Sequence, residues 1–176
     1  MILKGEKVIL RQIRLSDAPR FVKWLADPSV NKFLVGRRVS MQEELRWIRG
    51  LKKQKDNKAF AIDTKEGTHI GSIGLRLRPQ NKNAELGIMI GDKRYWNKGY
   101  GSDAIRTILQ YGFERLRLHR ISLKVYAYNP RASHVYKNFG FQVEGRGREE
   151  ILYRGKFYDD IYMGLLRRKW LKKRKQ

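Results

Sequence analysis

The sequence predicts a single mixed α/β domain of about seven strands and about four helices, and three observations lead there. The first is size and composition: 176 residues, 41% hydrophobic and 32% charged, suit one folded domain with an adequate core. The second is the succession of period-two and helical spacings, in the order β-α-α-β-β-β-α-β-α-β-β. The third is a glycine corner, Tyr95-Trp96-Asn97-Lys98-Gly99-Tyr100-Gly101-Ser102, which a strand-like run enters and a long helix leaves.

Val8 to Ile13 forms the first predicted strand. Ser16 is expected to cap a helix carrying Ala18, Phe21, Val22 and Leu25 at helical spacing, which Asp27-Pro28-Ser29 ends. Ser40-Met41-Gln42-Glu43 is a capping box, with Leu45, Ile48 and Leu51 on one face of the helix it opens. Three strands follow, Ala59–Ile62, His69–Arg78 and Ala84–Ile90, with turns at Lys65-Glu66-Gly67 and at residues 79–83. After the corner, Ile105, Ile108, Leu109 and Leu116 mark an amphipathic helix from Ser102 to Arg117. Gly112 inside it costs about 1 kcal/mol relative to Ala, so close packing is expected there. Ile121, Leu123, Val125 and Ala127 alternate as a strand; Pro130 opens a helix that Gly140 closes. Phe141–Leu152 and Phe157–Leu166 flank Arg154-Gly155-Lys156 as a hairpin.

Composition excludes several chemistries. Without Cys there is no disulfide, thiol nucleophile or cysteine-bound metal. His69, His119 and His134 have no ligand-like spacing, so no metal site is expected. No apolar run approaches a membrane span and the first six residues are no signal peptide, which sets the expectation of a cytoplasmic protein. Lys and Arg total 40 against 17 Asp and Glu, a net charge of +23. Such a field attracts polyanions, among them ribosomes, RNA and phosphorylated cofactors; a solvated lysine-rich surface explains the charge equally well. The densest cluster lies in residues 167–176, expected as a frayed basic tail behind a domain of residues 1–166.

The corner suits a diphosphate. Gly99 and Gly101 permit a tight turn, and the helix beyond adds unpaired N–H groups and the positive end of its dipole. Lys98 and Arg94 add charge beside it. Alone, the corner is equally well a simple turn.

A second constellation lies some thirty residues on: Asn129 at a strand end, Pro130-Arg131-Ala132-Ser133-His134-Val135, then Tyr136 about two turns into a helix, and Gly140-Phe141. Together with the corner, the Ala84–Ile90 strand and the closing 155–165 run, it resembles the GNAT superfamily of N-acetyltransferases, in the branch of ribosomal-protein N-terminal and spermidine acetyltransferases. That resemblance implies a mixed, largely antiparallel sheet and direct transfer of acetyl from acetyl-coenzyme A to an amine. It implies cofactor contacts from Lys98, Gly99, Tyr100, Gly101, Ser102 and Asn129, with Ile88, Met89 and Ile90 holding the pantetheine arm through backbone hydrogen bonds. Trp96 departs from the family pattern, which has Gln or Arg there, but the backbone contacts do not depend on that side chain.

Three needs follow from the implied chemistry. The protonated amine must lose a proton, the developing oxyanion needs a donor, and the departing thiolate benefits from an acid. By resemblance the donor is a backbone N–H of the Ala84–Ile90 strand and the acid is Tyr136. Glu85 matches an acidic position that often serves as base through water; a structural ion pair is its other role. His119 and His134 are expected to be structural, while Glu149, Glu150, Asp159 and Asp160 either hold a cationic amine or pair as surface charges. The acceptor the resemblance favours is a protein N-terminal α-amine, with a polyamine or other small amine as the alternative and a non-catalytic RNA- or ribosome-binding module as a third. A monomer and a homodimer fit equally.

Overall fold

The computed structural model describes residues 1–34 and 38–173. Among the described residues, eight strands form one sheet in the order β1-β2-β3-β4-β5-β6-β8-β7. They are β1 (Ile2–Lys4), β2 (Val8–Gln12), β3 (Asn57–Thr64), β4 (His69–Arg78), β5 (Asn83–Ile90), β6 (Arg120–Tyr126), β7 (Gln142–Tyr153) and β8 (Lys156–Leu166). Every neighbouring pair is antiparallel except β5 and β6. The helices are α1 (Ala18–Ala26), α2 (Pro28–Asn31), α3 (Met41–Leu51), α4 (Tyr100–Gln110), α5 (Pro130–Asn138) and α6 (Arg167–Lys173).

The strand β1 and the short helix α2 are additions to the expected elements. Three residues of β1 have no visible alternation, yet Leu3 is buried and pairs with Leu10. The α3 capping box forms as expected, with Ser40 Oγ accepting from Glu43 N and Glu43 from Ser40 N. Ser16 does not cap α1. A 3-10 turn at Leu15–Asp17 intervenes, and the Asp17 carboxylate is taken by Arg11 at 2.7 Å and by the Arg14 N–H at 2.8 Å.

The helix after the corner starts earlier and ends sooner than its apolar stripe predicts. It gives way at Tyr111–Arg115 to a π-helical turn that buries both Tyr111 and Phe113. Gly112 sits there against the sheet, where a methyl group would lie 2.8 Å from Ile121 Cδ1. Residues 167–173 are not frayed: α6 buries Trp170, whose ring lies 6.1 Å from that of Phe113. The apolar indole anchors a segment that its seven-residue basic composition would leave loose. Arg174, Lys175 and Gln176 of the expected tail lie outside the described residues.

The sheet separates two apolar layers. One face packs α4, through Ile105, Ile108 and Leu109, onto Ile73, Leu75, Ile121 and Leu123. Burying each such side chain contributes about 1.5–3 kcal/mol. The other face carries a smaller cluster of Phe21 and Trp24 from α1, Val30 and Ile48, with Met89 and Trp96 packed against it.

Candidate active site

The parallel pair β5–β6 holds for three rungs, Asn83 with Arg120, Ala84 with Ile121 and Glu85 with Ser122. Beyond the Glu85 rung the strands part. Backbone direction in β5 is set by Gly91 N–H, which donates to Ile70 O at 2.9 Å across β4. Alternation then turns the backbone groups of Glu85, Gly87 and Met89 toward β4, and those of Ala84, Leu86, Ile88 and Ile90 toward β6. Two contacts agree with this phase: Ala84 O accepts from the Ser122 hydroxyl at 3.4 Å, and Ile90 O from the Trp96 indole N–H at 2.7 Å. Ile88 and the N–H of Ile90 therefore face the gap. Met89, expected to hold the pantetheine arm with them, turns its backbone to Ser72 of β4 and its side chain to the Phe21–Trp24 cluster.

The glycine corner closes one end of this gap. Asn97 at φ 60° and Gly99 at φ 83° take left-handed conformations, which favour glycine and tolerate asparagine. The first intrahelical bond of α4 runs from Asp103 N–H to Gly99 O at 2.9 Å, so the N–H groups of Tyr100, Gly101 and Ser102 precede it as free helix-end donors. Gly101 abuts the end of β5, where a methyl group would lie 3.6 Å from Ile90 Cγ1. The guanidinium of Arg94 is turned onto Asp92 at 2.7 Å, so its charge is spent locally.

Two side chains that the sequence left without a role hold the corner. Asp103, 6% exposed, accepts from the backbone N–H groups of Glu6, Lys7 and Val8 at 3.2, 2.7 and 3.0 Å. Lys7 Nζ donates to Lys98 O at 3.1 Å and lies 5.8 Å from the Tyr100 ring centre. The signal for this brace was Gly5, where any methyl group would sit 2.4 Å from Asp103 Oδ2.

Across the gap, α5 starts at Asn129, whose Oδ1 accepts the Ala132 N–H at 3.2 Å. Tyr136 lies on the buried side of α5, edge-on to Phe141 at 5.9 Å. Burial pushes its phenol up to about 12, so it stays protonated through the neutral range. The two halves touch where the Arg131 guanidinium stacks 5.3 Å from the Trp96 ring. Trp96, the departure from the resembled pattern, thus caps β5 and contacts α5.

Glu85 points to the opposite face from α4. It lines an open cleft of about 220 Å³ with Trp47, Asn57, Ser72 and Arg76, and lies 3.7 Å from Arg78 Nη2. Tyr126 and Tyr128 wall this side by donating to the carbonyls of Leu34 and Lys32, both at 2.6 Å. Asp159 pairs with Arg146 at 3.5 Å, and Asp160 and Glu150 both pair with Lys124, at 3.5 and 3.4 Å. His119 stands just before β6, and His134 meets only the Asn138 amide at 3.1 Å on the exposed side of α5. Among the described residues no cluster of His, Asp and Glu could hold a metal ion.

Residues 7–142 match the family described as acetyltransferase (GNAT) domain. The chain belongs to that family. It is 30% identical over 174 residues to the uncharacterized N-acetyltransferase p20 of Bacillus licheniformis, covering 96% of this chain and 97% of that one. It is 33% identical over 106 residues to YdaF of Bacillus subtilis, whose name assigns it provisionally to ribosomal N-acetylation; the match covers 60% of this chain and 57% of YdaF. The spermidine N-acetyltransferase of Vibrio cholerae, solved with CoA and spermine, superposes at a TM-score of 0.88 with 25% identity, over 95% of this chain and 99% of that one.

The GNAT chain is therefore an N-acetyltransferase with acetyl-CoA as co-substrate. Its own residues fit that molecule: a slot between parted strands with free backbone groups on one edge, ending at a helix N-terminus suited to phosphate. No helix among the described residues is long and apolar enough to cross a membrane.

Proposed function

We propose that this GNAT enzyme acetylates the α-amine of a protein or peptide N-terminus. The observation that carries this reading is the electrostatics of the acceptor face. Four of its carboxylates lie against three basic side chains, Glu85 near Arg78, Asp159 near Arg146, and Asp160 and Glu150 sharing Lys124, so little of their negative charge is left free. A polycation needs a locally acidic pocket, all the more on a chain of net charge +23. A peptide N-terminus brings one amine and an otherwise neutral backbone.

In this reading acetyl-CoA supplies a thioester acyl group, which passes to the amine with release of a thiol. The helix-end N–H groups of Tyr100, Gly101 and Ser102, beside Lys98 and Gly99, hold the diphosphate, and Asn129 positions the start of α5 next to the arm. Ile88 and Ile90 hold the arm in place of the missing strand partner. Glu85 takes the proton from the incoming ammonium through water, and Tyr136 returns one to the departing sulfur. Burial keeps the Tyr136 phenol protonated through the neutral range, so the proton is in place, while transfer depends on the stronger basicity of a thiolate desolvated beside it.

The spermidine acetyltransferase likeness favours a polyamine acceptor, and thiol release from acetyl-CoA with each amine class separates the two. Turnover with N-terminal peptides, and little with spermidine at equal concentration, is the expected outcome. Preference for spermidine would overturn it. A basic surface without catalysis would give no thiol release with any amine, together with salt-dependent RNA binding.

A further inference from the structure

We propose that Lys124 fills an ammonium subsite on the acceptor face and so bars polyamines from it, a specificity role that rests on the peptide-amine reading above. Along β6, Ile121, Leu123 and Val125 are buried on the α4 side, so Ser122 and Lys124 share the other face. Ser122 is the rung partner of Glu85. Lys124 lies two residues further, about 7 Å along the strand, where β5 has already turned away.

Its ammonium meets three groups. Asp160 Oδ2 is at 3.5 Å, Glu150 Oε1 at 3.4 Å, and the Tyr162 ring centre at 4.7 Å. Two carboxylates and an aromatic face are what a free alkylammonium ion seeks. The surroundings are built rather than fortuitous. Asp160 is 2% exposed, and its Oδ1 is buried without a hydrogen-bond partner among the described residues. Glu150 is delivered by a register shift in β7 between Gly147 and Ile151, with Glu149 at φ 53°, and is held by the Tyr162 hydroxyl.

The tethered cation stays charged. Burial works against the Lys124 ammonium, but Glu150 and Asp160 outweigh it and hold its pKa above the ordinary value. A polyamine placing one amine at Glu85 for transfer would need a second subsite within reach for its other ammonium. It finds one already occupied by a side chain at high effective concentration, and meets like charge on approach. A peptide N-terminus makes no such demand.

The test compares Lys124→Met, which keeps length and removes charge, with Lys124→Arg, which keeps charge. A normal coenzyme A-induced rise in melting temperature certifies that each variant is folded. Spermidine is then followed by its own melting shift and by its KM in thiol release. The expected result is a spermidine-induced shift in Lys124→Met that the unaltered protein lacks, with KM lower by about tenfold or more. Lys124→Arg should behave as the unaltered protein, and adding Asp160→Asn to Lys124→Met should abolish the gain. A folded Lys124→Met with unchanged spermidine binding overturns the proposal, as does an unaltered protein that binds spermidine equally tightly. Failure of the unaltered enzyme to acetylate peptides would sink the acceptor reading alone, because the spermidine melting shift reports on Lys124 without any turnover.

Discussion

Asp103 accepts the backbone N–H of Lys7 at 2.7 Å, joining the first turn of α4 to the β1–β2 hairpin across 96 residues of sequence. The N–H groups of Glu6 and Val8 share the same carboxylate. The glycine corner is therefore braced by the β1–β2 hairpin, through Asp103 and through Lys7, which reaches Lys98 O.

Replacing Asp103 with Ala should orphan these three donors and cost about 2–4 kcal/mol of stability. Chemical denaturation would read the loss, and a midpoint unchanged from the parent would show the hairpin to be held by Leu3 and Leu10 alone. Gly5→Ala should act in the same direction, because its methyl group collides with the Asp103 carboxylate.

Tyr136→Phe keeps the ring against Phe141 and removes only the hydroxyl. Turnover should fall about a hundredfold or more while coenzyme A affinity barely moves, the signature of a lost acid. Calorimetric titration beside steady-state rates separates the two, and equal turnover would return Tyr136 to a packing role.

Glu85→Gln preserves shape and removes the carboxylate proposed as base. The acidic limb of the pH–rate profile should shift, and the residual rate should rise with pH as more acceptor arrives deprotonated. An unchanged profile would leave Glu85 as the partner of Arg78 only.

Much of this was legible in the sequence, because strong local signals agreed with the global fold. The Ser40–Glu43 box, the Gly155 hairpin and the alternating strand at residue 121 each formed where their chemistry placed them. What escaped was set by distant partners. Ser16 lost the expected cap of α1 to a 3-10 turn pinned by Asp17 with Arg11 and the Arg14 N–H, and Trp170 turned a basic tail into an anchored helix. Lys124 carried no signal of its own, since nothing local reveals that an irregularity in β7 returns Glu150 to it. The direction of the Met89 backbone follows from a phase that only the β4 register decides.

Stability should rise with pH on the acidic side of neutrality. His69 is buried between Phe21 and Trp24, and burial holds its pKa below the ordinary 6.5 despite Asp17 nearby. The unfolded chain takes its proton first, so stability is full above about pH 6.5 and declines as pH falls toward the lowered folded value. Asp17 adds a second loss at lower pH. Burial opposes its charge, but Arg11, the Arg14 N–H and His69 together depress its pKa, so its contribution is lost as pH falls from its ordinary range through the depressed value. Melting temperatures of the parent and His69→Phe between about pH 5 and pH 7 should diverge in slope, the variant being the flatter.

The parting of β5 from β6 leaves this sheet with a raw edge in its middle instead of at its rim. Open edges invite foreign strands and aggregation. In the cofactor reading proposed above, a slender amide-bearing arm answers these unpaired groups in turn, so an edge that would be a hazard on an outer strand becomes a berth inside the sheet.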